Sequence, residues 1–192
     1  MTEKNDIIIV SGLPRSGTSM MMKMLEAGGI PVLIDEIRQA DVDNPKGYYE
    51  FERVKKLPED TGWLPDAEGK VVKMVSMLLQ ELPKDRRYKV VFMRRRMEEI
   101  LVSQKKMLER TKKDVVVDDD EMATLFDGLL TQTLAWLNEQ DHLDVVFAWY
   151  HEILENPKPT VNRLNDFFEN KLDTKAMINV IDEDLYRNKA NA

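Results

Sequence analysis

The 192-residue chain contains no cysteine, which excludes disulfides, thiolate metal sites and cysteine nucleophiles. It has two histidines, His142 and His151, too few for a histidine-rich metal centre. No apolar run approaches the ~20 residues that span a bilayer. The stretch from Met1 to Asp6 has none of the anatomy of a signal peptide. A cytoplasmic protein without membrane attachment is therefore expected. Positive charge is not in excess: 28 basic residues face 35 acidic ones, a net charge of −7. Sequence-independent nucleic-acid binding is thus not expected, and any polyanion must be met by a local basic pocket. There is no repeat and no long low-complexity tract. What remains is 43% hydrophobic and 33% charged, the composition of a folded chain. Its length suits one domain spanning residues 1–192, with enough chain to bury a real core.

Ile7-Ile8-Ile9-Val10 is an unbroken apolar, β-branched run. Such runs form strands buried on both faces, as in parallel sheets. A Gly/Pro/Ser loop follows at 11–16, then a helix at 18–27 stopped by Gly28-Gly29. Its Met20, Met21, Met22 and Met24 read mainly as core packing. Further strands are expected at 32–34, 70–77, 88–93 and 143–149. Further helices are expected at 97–110, 121–139, 160–168 and 174–181, with a short one at 78–82. Alternation of strands and helices predicts an α/β fold: a mainly parallel central sheet flanked by helices. Ligands of such sheets bind beyond the carboxyl ends of the strands. That rule singles out the loops after Val10, Ile34, Val75 and Met93.

The strongest signal is strand, then Gly12-Leu13-Pro14-Arg15-Ser16-Gly17-Thr18-Ser19, then helix. Glycines let the backbone curl so that successive N–H groups face an anion. The helix start adds partial positive charge. Pro14, Arg15, Ser16, Gly17, Thr18 and Ser19 are the candidate phosphate-binding residues. A nucleoside-triphosphate loop ends in Gly-Lys-Ser/Thr; here Thr18 stands in the lysine's place. This weakens a magnesium-dependent kinase or nucleotide hydrolase as the alternative reading, which Ser19 alone still supports. A second basic element is Arg94-Arg95-Arg96 at the end of the strand at 88–93. Three adjacent guanidinium groups repel one another unless an anion or solvent relieves them.

Pro14-Arg15-Ser16-Gly17-Thr18 resembles the phosphosulfate-binding loop of sulfotransferases, which use 3′-phosphoadenosine 5′-phosphosulfate (PAPS) on a P-loop-like α/β fold. Arg95 and Ser103 have the eight-residue spacing of the arginine and serine that hold the cofactor's 3′-phosphate in that family. Arg96-Met97 departs from the family's usual Asp-Pro or Asn-Pro. Asn44-Pro45-Lys46-Gly47-Tyr48-Tyr49-Glu50 is similar to a segment of bacterial sulfotransferase-like proteins. The stretch from Trp149 to Pro157 resembles the family's Tyr-Glu-x-Leu-x-x-x-Pro element, and Asp184-Leu185-Tyr186-Arg187 a tail found there. The likeness runs from Ile7 to Arg187. The chain lacks the glycine-rich C-terminal segment that many cytosolic members fold over the nucleotide; Arg187 is a partial substitute or an exposed tail residue.

The resemblance implies a PAPS-dependent sulfotransferase that releases adenosine 3′,5′-bisphosphate and acts on a small-molecule or peptide acceptor. It puts Arg15 at the family's catalytic lysine or arginine. Lys73, in Val71-Val72-Lys73-Met74-Val75, matches the lysine of the cytosolic Lys-Thr-His stretch, whose histidine base is replaced by Val75. Asp35-Glu36-Ile37-Arg38 is similar to the Glu-Glu-Thr-Arg stretch of tyrosylprotein sulfotransferases and makes Glu36 the first candidate base, with Asp35 second and Glu50 third. Neither histidine offers itself as the base. The other reading is a nucleotide-binding protein of the same fold without turnover. Acceptor identity and oligomeric state stay open.

Overall fold

The computed structural model describes residues 6–35, 37, 47–110 and 118–182. Glu36, residues 38–46, Val115-Val116-Val117 and the Asp184–Arg187 tail lie outside the described residues.

Among the described residues four strands form the sheet: β1 (Ile7–Gly12), β2 (Val71–Lys73), β3 (Tyr88–Arg94) and β4 (Leu143–Trp149). Their order is β2-β1-β3-β4, and every pairing is parallel. The α-helices are α1 (Thr18–Ala27), α2 (Met97–Arg110), α3 (Asp119–Leu137), α4 (Tyr150–Glu155), α5 (Pro157–Phe167) and α6 (Thr174–Asn179). The expected α/β architecture with a parallel central sheet is what the chain adopts.

Side chains of β1 alternate between two cores, as the period of a strand dictates. Ile8 and Val10 join Met21, Met22, Met24, Ile153 and Leu164 on the face covered by α1, α4, α5 and α6. Ile7 and Ile9 join Trp63, Leu79, Val90 and Phe92 on the face covered by 3₁₀ turns and the end of α3. With both faces covered, the strand must be apolar throughout, which is why its sequence does not alternate. A third, small cluster of Leu13, Ile100 and Phe126 ties the loop after β1 to α2 and α3.

Two expectations need correction. The stretch at 32–34 is no strand: it makes one parallel bridge, Val32 to Val71. Pro31 has no N–H to extend the ladder, and the chain then turns to residues 50–52, where the Asp35 N–H donates to the Glu50 carbonyl at 2.9 Å. The strand expected at 70–77 is confined to Val71–Lys73, and Ser76–Glu81 forms a 3₁₀ helix. No helix among the described residues is long and apolar enough to cross a membrane.

Candidate functional site

The loop after β1 carries two residues in the left-handed region: Arg15 at φ 67° and Gly17 at φ 96°. Glycine adopts this backbone freely; arginine does so at a cost of about 1–3 kcal/mol when the surroundings enforce it. Here the enforcing contacts are visible. The Arg95 Nη1 donates to the Arg15 carbonyl at 3.0 Å, and the Arg15 Nε donates to Ser103 Oγ at 2.9 Å. Residues from β1's loop, β3's end and α2 are thereby joined at one point. Three sequence-predicted residues far apart in the chain, Arg15, Arg95 and Ser103, are brought together.

Arg95 is itself held firmly. Its Nε donates to Glu99 Oε2 at 2.9 Å, with both side chains almost wholly buried. Its guanidinium lies 4.2 Å from the ring centre of Tyr150, a cation–π distance. The same Tyr150 ring closes against Gly17, where an added Cβ would stand 2.4 Å from Tyr150 Cδ2. Gly12 is equally confined: a Cβ there would lie 2.6 Å from Ser16 Oγ and 2.7 Å from the Met93 carbonyl. The loop therefore needs glycine at both positions, for closeness as well as for φ. Ser11 Oγ and Ser16 Oγ are buried without a hydrogen-bond partner, so the loop contains hydroxyl groups with unused capacity.

Lys73 leaves the end of β2 toward the first turn of α1. Its Nζ donates to the Tyr48 carbonyl and reaches Ser19 Oγ at 3.3 Å; Ser19 Oγ in turn donates to the Tyr48 carbonyl at 3.2 Å. Ser19 thus serves the lysine's side of the loop while Arg15 serves the side of Ser103. Pro14 is exposed and Thr18 half-buried at the helix start.

Among the carboxylates proposed as bases, Glu36 lies outside the described residues. Asp35 accepts backbone N–H groups on both oxygens, from Glu52 at 2.6 Å and Ile37 at 3.2 Å. Glu50 pairs with Lys55 at 3.2 Å. Tyr49 donates to Glu26 at 2.6 Å, and burial together with that carboxylate raises its phenol pKa. His142 supplies its carbonyl to the Tyr88 N–H and stacks edge-on to the Tyr88 ring, while His151 packs against Trp149.

Glu99, Tyr150 and Tyr48 were not among the catalytic or cofactor-binding residues expected from sequence. Glu99 follows Arg95 by four residues, the spacing of a helical ion pair, which was a readable signal. Tyr150 was visible only as part of a longer stretch. Nothing in the sequence shows that its ring reaches Gly17.

A family model for the sulfotransferase domain matches residues 4–190. A search of curated proteins gives no match. Among solved structures, the sulfotransferase domain from the curacin biosynthetic pathway superposes with a TM-score of 0.56 at 14% identity, over 94% of this chain and 79% of that one. Mouse sulfotransferase SULT7A1 complexed with PAP gives 0.56 at 17% identity, over 93% of this chain and 63% of the mouse protein. The sulfotransferase domain from the Synechococcus PCC 7002 olefin synthase gives 0.55 at 14% identity, over 98% and 82% of the two chains.

Proposed function

The chain belongs to the sulfotransferase-domain family, and from that premise we propose that residues 1–192 form one cytoplasmic PAPS-dependent transferase domain acting on a small-molecule or peptide acceptor. The observation that carries this reading is the meeting of Arg15, Arg95 and Ser103 around a left-handed loop. Such strain, held by convergent hydrogen bonds, is the mark of a preorganised anion site. The unpartnered Ser16 hydroxyl and the close-packed glycines fit a phosphate group lying against the backbone. The mouse protein's complex with PAP supports the same nucleotide class for this chain.

PAPS, when bound, supplies an activated sulfonate on a phosphate leaving group. The residues that would hold it are Pro14, Arg15, Ser16, Gly17, Thr18 and Ser19 on the 5′ side, and Arg95 and Ser103 on the 3′-phosphate. Arg15 serves both ends: it bridges to Ser103 at rest, and its positive charge stabilises the departing phosphate. Lys73, tethered to Ser19 and the Tyr48 carbonyl, offers the second cation for charge on the transferring group. Fixed cations of this kind lower the barrier without reorganising at the moment of transfer.

Glu36 is assigned as the base that takes the acceptor's proton. Its rivals are committed elsewhere: Asp35 would surrender two backbone hydrogen bonds, and Glu50 its lysine.

The test is calorimetric titration with adenosine 3′,5′-bisphosphate, beside ATP with magnesium. Micromolar or tighter binding of the bisphosphate, weakened at least tenfold in Ser103→Ala and Arg15→Gln, is expected. Tight ATP binding without response to the bisphosphate would refute it. Once an acceptor is found by labelled-sulfonate transfer, Glu36→Gln should slow turnover ~10²–10⁴-fold.

A further inference from the structure

Arg94 is the last residue of β3 and Arg95 follows it, and their side chains go to different places. Arg95 serves the loop after β1. Arg94 lines a cavity of about 360 Å³ with Leu134, Asn138, Phe147 and Trp149. Along β4, Leu143 is buried, whereas Phe147 beside the cavity is 37% exposed.

The guanidinium of Arg94 lies over the Trp149 ring, 4.8 Å from its centre, in register across the two strands. Its Nε is buried without a hydrogen-bond partner. Among the described residues it makes no ion pair, in contrast to Arg95 with Glu99, Arg53 with Asp60, Arg86 with Glu68 and Arg87 with Asp144. Burial pulls Arg94 below the ordinary arginine range, and among the described residues no carboxylate offsets it. A desolvated guanidinium with an unmet donor costs free energy until an anion meets it.

We infer that this cavity, which shares no lining residue with the loop after β1, is a second binding site for a small organic carboxylate with an aromatic or branched apolar body. The Arg94 fork matches a carboxylate with two parallel hydrogen bonds. Leu134, Phe147 and Trp149 supply apolar walls for the body, and the Asn138 amide a second polar contact at the rim. The volume falls in the ~300–1,000 Å³ range of small-molecule sites. An inorganic anion would satisfy the arginine and leave the apolar walls unfilled. The site shares no residue with the proposed donor site and does not rest on that reading.

The experiment follows the Trp149 indole signal by NMR on the full chain, assigned through Trp149→Phe. Probes are phenylacetate and indole-3-acetate, their neutral amides, and inorganic phosphate. Saturable binding of a carboxylate, at least tenfold tighter than its amide and than phosphate, is expected. Arg94→Gln should weaken it at least tenfold while adenosine 3′,5′-bisphosphate affinity stays within about twofold. Leu134→Trp, which fills the cavity from α3 without touching the charge, should abolish it and serves if Arg94→Gln does not fold. Equal binding of acid and amide, phosphate binding as tightly as the carboxylates, or no carboxylate binding below ~10 mM would overturn the inference. So would loss of bisphosphate and carboxylate together in a folded Arg94→Gln. Failure of the bisphosphate to bind the unaltered chain would count against the donor site alone.

Discussion

Gly17→Ala isolates the contact that locks the phosphate loop to the tyrosine behind it. The residue sits at φ 96°, a backbone that costs an alanine about 1–2 kcal/mol. Its new Cβ would stand 2.4 Å and 3.0 Å from two carbons of the Tyr150 ring, so the ring must move. Tyr150 is buried and backs Arg95, which leaves little room for relaxation. Overpacking of this kind adds about 1–3 kcal/mol. Gly29→Ala is the matched control, since Gly29 has φ 101° with nothing within 4 Å of an added Cβ. It should pay the backbone cost alone. The two variants should therefore differ by about 1–3 kcal/mol, or roughly 2–12 °C in melting temperature for a domain of this size. Thermal and urea unfolding followed by circular dichroism measure the difference. Calorimetry should show bisphosphate affinity reduced at least tenfold in Gly17→Ala and unchanged in Gly29→Ala. Equal destabilisation of the two variants would refute the claim that Tyr150 is wedged against the loop.

Two further outcomes are expected. Arg95→Met leaves the buried Glu99 carboxylate without its arginine and should destabilise the fold by about 3–5 kcal/mol, whereas Arg95→Met with Glu99→Met should recover much of that loss; equal instability of single and double variants in urea unfolding would dismiss the pair as a structural element. Burial, aided by Lys84 and opposed by Asp141, lowers the His142 pKa. Its contribution is therefore present above the unfolded-state value near 6.5 and is lost as pH falls through the depressed folded-state value. His142→Gln should flatten the fall in melting temperature between pH 7 and 5, and an unchanged slope would assign that fall to other groups.

The phosphate loop was legible because its chemistry is local. Strand, glycine-rich turn and helix follow one another in the chain, and β1 and α1 lie where their patterns placed them. That Arg95 and Ser103 belong near the loop was legible only through the family resemblance of their spacing, and that Arg15 joins them was not legible at all. The 32–34 stretch misled because an apolar triplet carries no information about whether a sheet edge has backbone groups to receive it. Asp35 and Glu50 looked like free bases in sequence, and their commitment to backbone and lysine depends on a fold-back that no periodicity encodes.

By itself, then, the sequence determined the fold class and the strand, glycine-rich turn and helix that carry Arg15, since these follow from strand burial, glycine placement and local spacing. Tertiary structure alone decided where each arginine is held. Arg95, just past the strand, reaches the loop after β1, whereas Arg94, the last residue of β3, lines the cavity beside Trp149. Packing against Tyr150 and Glu99 braces one beside the loop, while the other is desolvated and, among the described residues, makes no ion pair.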